Sequence, residues 1–449
     1  MRIPGLYPER FSPLAGIVCL ALASLSPAAA GNDLYTLYQQ ALSHDMKFAA
    51  VQAQAAVSTE RQLQRRADLL PSLSATGGAA WVDREESSYY RHNRDNTNAY
   101  AVVLTQPLLR WQNVVAHDQS KLRVSASEVH IEQARQELML RVARAYLDVL
   151  LAREGLNART QQLQTLAQQQ ARIEHLLGDG ATTRSTLEQV QARHDEAQAE
   201  LISARGMLDL ANETLAQLTA SHRLPAASLG RDIHFSAPQP ASIDDWASQA
   251  RTDSLAVQAA QIDQRLAQMG IERERAGHLP TVDLIAAHGR FAAVGGELYD
   301  VTLPEARYRQ TVVGIKLDIP LYAGGRTSSK VREAHALEGK AEDDLEDARR
   351  DAALAARRAY LRVSSGLSRY AALRQSRKSS EVNLRSVTKG FEAGARINTE
   401  VLDAQQQFSD ADLRLAEQRH TLLMAQLELL AATGSLNDAS LMHVSSLLQ

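Results

Sequence analysis

Apolar residues recur along most of this chain at alternating spacings of three and four, and in four short stretches at every second position. From Leu187 the run Val190, His194, Ala197, Leu201, Ala204, Leu208, Ala211, Leu215 and Leu218 keeps the first spacing unbroken. Val401, Ala404, Phe408, Ala411, Leu415, Gln418, Leu422, Ala425, Leu429 and Ala432 repeat it. Such spacing places these side chains on one seam of a helix, and large residues interleaved with Ala let neighbouring helices approach closely. The stretch 114–177 carries the same pattern through Leu138, Val142, Ala145, Val149, Ala152 and Leu156. As one helix it would span about 96 Å, far more than a globular helix. Leu34 to Asp68 and Leu187 to Leu218 are each about 50 Å as helices, so end to end they match the long one. The lengths predict a pair of short helices beside one long helix, twice per chain.

The four period-2 stretches are each marked by proline. Pro71 and Pro280 precede segments that begin at Ser72 and Thr281, and Pro107 and Pro320 close segments that begin near Tyr100 and Thr311. Proline neither continues a helix nor donates to a central ladder, which suits these four positions to hand-offs between helix and strand. Val313, Ile315, Leu317 and Ile319 alternate with Gly314, Lys316 and Asp318; Leu73, Ala75, Ala79 and Trp81 oppose Ser72, Ser74 and Thr76. Tyr100, Val102 and Leu104 form a third apolar row, and Val282, Leu284 and Ala286 a fourth, interrupted by His288 in phase. Segments of about ten residues with one apolar and one polar face match strands of an outer-membrane barrel. Two hairpins of a soluble domain remain open on pattern alone. The polar stretches 83–98 and 292–309, long for compact hairpins, favour external barrel loops. Four strands are too few to close a barrel, since the smallest have about eight. Two copies give eight strands and a filled interior; three give twelve and leave a lumen.

Landmarks repeat in the same order at offsets of 209 to 214. Leu70-Pro71-Ser72-Leu73 returns as Leu279-Pro280-Thr281-Val282, Ala145-Tyr146-Leu147 as Ala359-Tyr360-Leu361, and Gly180 with Leu187 as Gly394 with Val401. The chain therefore divides into a first repeat, 31–224, and a second, 241–436, joined by a linker, 225–240, and followed by a tail, 437–449. The first repeat is expected to hold a helix, the strand pair 72–83 and 99–109, a long helix 114–177 and a helix 187–218. The second is expected to hold a helix, the strand pair 281–291 and 310–320, a long helix 326–390 and a helix 396–433.

Composition narrows the picture. The 45% apolar fraction with only 5% aromatic residues is mostly Ala and Leu, as in long helices and coiled coils. Against 52 acidic residues stand 49 Lys and Arg, giving a net charge of −3, which carries no nucleic-acid footprint. A single Cys leaves no redox pair, thiolate zinc site or disulfide scaffold. Residues 1–30 read as a signal peptide, with Arg2 and Arg10 ahead of an apolar core from Leu14 to Leu25 and Ala28, Ala29 and Ala30 before Gly31. Cys19 lies in that core behind Val18, without the small residue that a lipid-anchor site requires. No later stretch of 18 apolar residues predicts a transmembrane helix. There is no H-E-x-x-H and no phosphate loop; Gly324-Gly325 reads as a swing from strand into helix, and His44, His175 and His335 are scattered. Neither an enzyme nor a cofactor is expected.

Gly277-His278-Leu279-Pro280-Thr281-Val282-Asp283-Leu284, Leu317-Asp318-Ile319-Pro320-Leu321-Tyr322-Ala323-Gly324-Gly325, Ala145-Tyr146-Leu147-Asp148-Val149-Leu150 and Gly394 through Val401-Leu402-Asp403-Ala404 resemble the TolC family of outer-membrane exit ducts. The resemblance covers essentially the whole mature chain. It implies a mainly α fold with a small β part: a homotrimer with a 12-stranded β-barrel in outer-membrane lipid, continuous with a 12-helix periplasmic α-barrel. It further implies a periplasmic adaptor (membrane fusion) protein and an inner-membrane ABC or RND transporter as partners, and passage of proteins by type I secretion or of drugs and small molecules by efflux. The cargo and the choice between these systems are not written in the sequence. The alternative is a periplasmic adaptor or scaffold with coiled-coil hairpins and no channel; its single hairpin between continuous β-domains fits poorly with a duplicated layout.

By the same resemblance the entrance lies at the helix tips, around 178–185 and 390–399. Glu400 and Asp403, three residues apart on one helix face, match the family's two constriction aspartates, one replaced by Glu. Three copies would set six carboxylates round one opening, which favours cations. Arg396 matches the family's latch arginine. The acid it should face falls on Thr186 and the linking tyrosine on Phe391, leaving Ser185 and Thr186 as neutral acceptors without charge assistance.

Overall fold

The structure, a computed structural model, describes residues 33–86, 91–221, 233–293, 296–298, 301–303 and 306–448. The expected signal peptide lies outside these residues, as does the part of the expected linker before Ile233.

The chain opens with α1 (Asp33–His44) and α2 (Met46–Ala67), where the sequence predicts one helix from Leu34 to Asp68. The break comes at Asp45. Its carboxylate accepts the Phe48 N–H at 2.7 Å, capping α2, and two hydrogen bonds from the Arg141 guanidinium at 2.7 and 3.0 Å. A capping carboxylate offers the backbone a partner that a continuous helix has no use for, so the helix restarts there. β1 (Ser72–Glu86) and β2 (Arg91–Leu109) follow, then α3 (Trp111–Gly178) and α4 (Arg184–Thr219). The second repeat has α5 (Ile243–Asp253) and α6 (Leu255–Arg275), parted at Ser254 as α1 and α2 are at Asp45. It continues through β3 (Thr281–Ala293), a small hairpin of β4 (Gly296–Leu298) and β5 (Val301–Leu303), and β6 (Ala306–Asp318). α7 (Arg326–Glu392) and α8 (Asn398–Ala432) complete it, and the tail folds as α9 (Asp438–Ser446).

The strands reach further than the sequence pattern indicates. Residues 83–86 and 91–98 are paired in the β1–β2 ladder, where a 16-residue loop is expected, and β3 and β6 likewise run into the polar stretch 292–309. Backbone pairing is made by main-chain groups and needs no apolar side chains, so the loss of apolar alternation does not mark the strand ends. Pro107 does not end its strand either. β2 continues to Leu109 across a register irregularity between Pro107 and Leu109, where a residue lacking an N–H is tolerated. Pro71 and Pro280 stand directly before β1 and β3, and Pro320 two residues after β6.

The main sheet has the order β1-β2-β3-β6, antiparallel throughout. Its register sets Leu73, Leu104, Ala286 and Val313 in one row across the four strands. Side chains alternate across a sheet, so the rows named in the sequence share a single face, with Leu73, Val313, Ile315 and Leu317 exposed on it. Ser72, Ser74, Thr76, Asp283 and Lys316 belong to the other face. Where β2 hands over to α3, Arg110 makes a bidentate contact with buried Asp283 at 2.7 Å on both arms, tying the first repeat to the second.

α3 and α7, each about 100 Å long, are the spines. α2 and α4 lie end to end along α3, and α6 and α8 along α7, while α3 also packs on α6 and α8. The seam residues Val190, Ala197, Leu201, Val401, Ala404 and Leu415 are buried, as their spacing requires. The largest apolar cluster lies where α1, α9, α3 and α8 converge, around Tyr38, Leu138, Tyr146, Leu150, Leu423, Leu427 and Leu441. Burial pushes the Tyr38 hydroxyl well above its ordinary range, and it stays neutral. Beside this cluster Glu428 of α8 takes Arg144 of α3 at 2.9 Å and Arg362 of α7 at 2.5 Å, so one carboxylate links both spines.

Candidate functional site

Both helical hairpins end in the same turn. In the first, the Gly180 N–H donates to Leu177 O and the Ala181 N–H to Leu176 O. In the second, Gly394 donates to Phe391 O and Ala395 to Gly390 O. Both glycines have positive φ, +73° and +71°, as this paired-bond helix ending demands. The duplication therefore extends to individual hydrogen bonds, and it places the starts of α4 and α8 side by side at one end of the molecule.

Arg396 leads into α8 and turns back along it. Its guanidinium lies 2.7 Å from the Glu400 carboxylate, one turn on. Its stem crosses Gly390, where a Cβ would come within 2.7 Å of the Arg396 Cγ. Only a residue without a side chain leaves room for that crossing. Asp403 is well exposed and has the Arg193 guanidinium of α4 at 4.0 Å. The Arg193 stem borders a groove between α4 and α8 together with Glu196, Thr399 and Leu402. Each carboxylate thus has an arginine of its own chain nearby, one from α8's leading edge and one across the groove. Both pairs are largely solvated, and screening holds such contacts to a fraction of a kcal/mol.

The remaining expected residues sit close by but make other contacts. Thr186 is engaged in the cap of α4: its N–H donates to the Thr183 hydroxyl at 3.3 Å, and the two hydroxyls share a hydrogen bond at 3.0 Å. Ser185 is exposed in the same turn. Phe391 carries the Arg172 guanidinium of α3 over its ring, 5.2 Å from the centroid. Within one chain, then, Arg396 is joined to Glu400 and not to Ser185 or Thr186. Above the tips, Gln162 of α3 donates to Gln406 of α8 at 2.8 Å, and Arg159 of α3 meets Glu200 of α4 at 2.9 Å. The first contact joins the two hairpins and the second closes the first hairpin on itself.

Arg193 and Arg172 escaped the sequence reading. The duplication held a signal for the first: Gln189 matches Asp403 at the common offset, so a residue one turn beyond Gln189 is placed across from Asp403. Nothing in the sequence pairs Arg172 with Phe391, because the contact joins two different helices.

The family model described as outer membrane efflux protein matches residues 37–221 and 246–435, one stretch in each repeat. Outer membrane protein TolC of Salmonella enteritidis is 27% identical over 441 residues, covering 96% of this chain and 88% of that protein. Proteases secretion protein PrtF of Dickeya chrysanthemi is 28% identical over 443 residues, covering 96% and 94%. Among solved structures, the CmeC outer membrane channel of Campylobacter jejuni superposes with a TM-score of 0.77 at 13% identity, over 98% of each chain; this likeness speaks for the fold.

Proposed function

The chain belongs to the outer membrane efflux protein family, and from that premise we propose that three copies close a 12-stranded barrel over a 12-helix tunnel. It is an outer-membrane protein that extends into the periplasm, an exit duct of a tripartite export system. As the outer-membrane component of an export system it acts with a periplasmic adaptor and an inner-membrane transporter. Passage through it is passive, energy being supplied by the transporter.

One observation supports the trimer above others. The four-stranded sheet is open at both ends, with β1 and β6 as edges, and among the described residues no layer covers its exposed apolar face. An open edge in lipid leaves backbone groups unsatisfied, at several kcal/mol each. Pairing β1 of one copy with β6 of the next removes every edge and turns the apolar face outward. Heat-modifiable trimers in detergent-extracted outer membrane, with stepwise conductance in planar bilayers, are the expected result. A monomer that leaves liposomes impermeable overturns the proposal.

At the far end, Glu400 and Asp403 are read as the acidic constriction of the entrance and Arg396 as the residue that holds it. The nearby arginines give the latch a form that the family pattern does not anticipate. Arg396 neutralises Glu400 within its own chain, and Arg193 approaches Asp403, so closure is set by how tightly α8 is held against α4 and α7. Thr186 and Phe391 then serve to fix the tip itself, one through its cap and the other through Arg172.

A further inference from the structure

The lipid-facing side of the sheet carries a basic cluster that export does not use. The register aligns Gly77, Tyr100, Arg290 and Arg309 in one row across β1, β2, β3 and β6. Arg290 and Arg309 are direct partners, and in the next row His288 opposes Thr311, with 2.7 Å between the His288 Nδ1 and the Thr311 hydroxyl. All of these residues are in phase with Val313, Ile315 and Leu317, hence on the face that meets lipid. Among the described residues neither arginine is paired with a carboxylate.

Height within the membrane follows from the strand. From Leu317 at the helix end to Arg309, β6 climbs about 27 Å along its axis, or about 20 Å after the tilt usual in barrels. The apolar band of such barrels is about 25 Å tall and bordered by aromatic residues. Tyr100 in the same row, with Trp81 beyond it, marks that border on the side away from the helices. The cluster therefore lies at the outer-leaflet headgroups.

Two like charges directly opposite on adjacent strands repel each other. On the other side of β3 the approach of the neighbouring strand is close. A Cβ at Gly289, between His288 and Arg290, would stand 2.3 Å from the Tyr100 carbonyl oxygen, so β2 and β3 meet here at a separation only glycine allows. A pair of guanidiniums at headgroup height, beside an imidazole and a phenol, is matched by a phosphate: it accepts forked hydrogen bonds from both arginines and cancels their repulsion. We propose that Tyr100, His288, Arg290 and Arg309 form an outward-facing site for the phosphate of an outer-leaflet glycolipid, one site per chain. The proposal rests on the barrel reading above.

The test uses the full-length protein in neutral detergent. The probes are a bisphosphorylated glucosamine disaccharide lipid, the same lipid dephosphorylated, and inorganic phosphate. The phosphorylated lipid is expected to raise the dissociation temperature of the trimer by about 3–5 °C and to remain bound in native mass spectra, whereas the other two probes do neither. In the double variant Arg290→Gln, Arg309→Gln, lipid retention should fall at least tenfold. Equal effects from the dephosphorylated lipid, an equal effect from inorganic phosphate, or full retention by the double variant would each overturn the site. If the double variant does not assemble, the comparison of the three probes on the unaltered protein still decides. Conducting trimers without a phosphate effect refute this site alone, whereas non-conducting monomers refute the barrel.

Discussion

The Arg396 guanidinium and the Glu400 carboxylate, one helical turn apart and 2.7 Å from contact to contact, form an ion pair at the leading edge of α8. Arg396 stands just ahead of α8 and Glu400 in its first turn, so the pair is made within one chain and needs no neighbour. Removing Arg396 unmasks the carboxylate and frees the helix start. Arg396→Ala should raise both conductance and cation preference in planar bilayers, with reversal potentials in a salt gradient as the measure. An unchanged reversal potential would dismiss Arg396 from the entrance.

Glu400→Gln with Asp403→Asn should act in the opposite sense. In the proposed trimer six formal charges leave the entrance, and cation preference should fall by about half or more. Arg193→Ala separates the two acids: it should strengthen cation preference through Asp403 while leaving the Arg396 pair intact. If the double neutral variant keeps the ion selectivity of the parent, the constriction lies elsewhere.

Asp45 gives a pH dependence of stability. Hydrogen bonds from Arg141 hold its carboxyl below the ordinary carboxylate range against the opposing effect of burial, and the Phe48 N–H adds to the lowering. The unfolded chain then binds the proton more readily than the folded one, so the contribution is complete above the ordinary carboxylate pKa and disappears as the pH falls through the lower folded value. Asp45→Asn breaks a pair whose carboxylate is buried while leaving a capping residue, and should cost about 3 kcal/mol near neutrality. Thermal melts followed by helical circular dichroism at pH 7 and pH 3 check this. The gap between parent and variant should narrow at the lower pH.

The apolar rows make a prediction for the barrel. Ile315→Arg places a charge near mid-membrane on the lipid-facing side and should cost about 2–4 kcal/mol per chain, enough to deplete heat-modifiable trimers. Gly314→Ser, next to it on the opposite face with open space around the new Cβ, should leave trimer yield unaltered. Equal yields for the two variants would contradict the assignment of faces.

What could be read from the sequence was whatever local periodicity encodes. Val313, Ile315 and Leu317 announced their face by alternation, and Val190, Ala197 and Leu201 their seam by spacing. The pattern failed where periodicity and structure part company. Residues 83–86 and 91–98 carry no apolar alternation, although their backbone stays paired. The break at Asp45 needed a cap to be recognised inside an apparently continuous helix. At the entrance, the resemblance pointed to Glu400, Asp403 and Arg396, but their partners depend on which helix faces which. Arg193 reaches Asp403 from a helix some 200 residues earlier, and no local pattern records that.

The length of α3 has a mechanical consequence. The buried cluster around Tyr146 fixes the helix near its middle, and the arm from there to Gly178, packed on α4, is about 48 Å long. A swing of about 5° at that fulcrum sweeps the tip through about 4 Å, more than a hydrogen bond can stretch. Modest leverage applied far from the opening is thus enough to part its contacts, with no need to unwind a single turn.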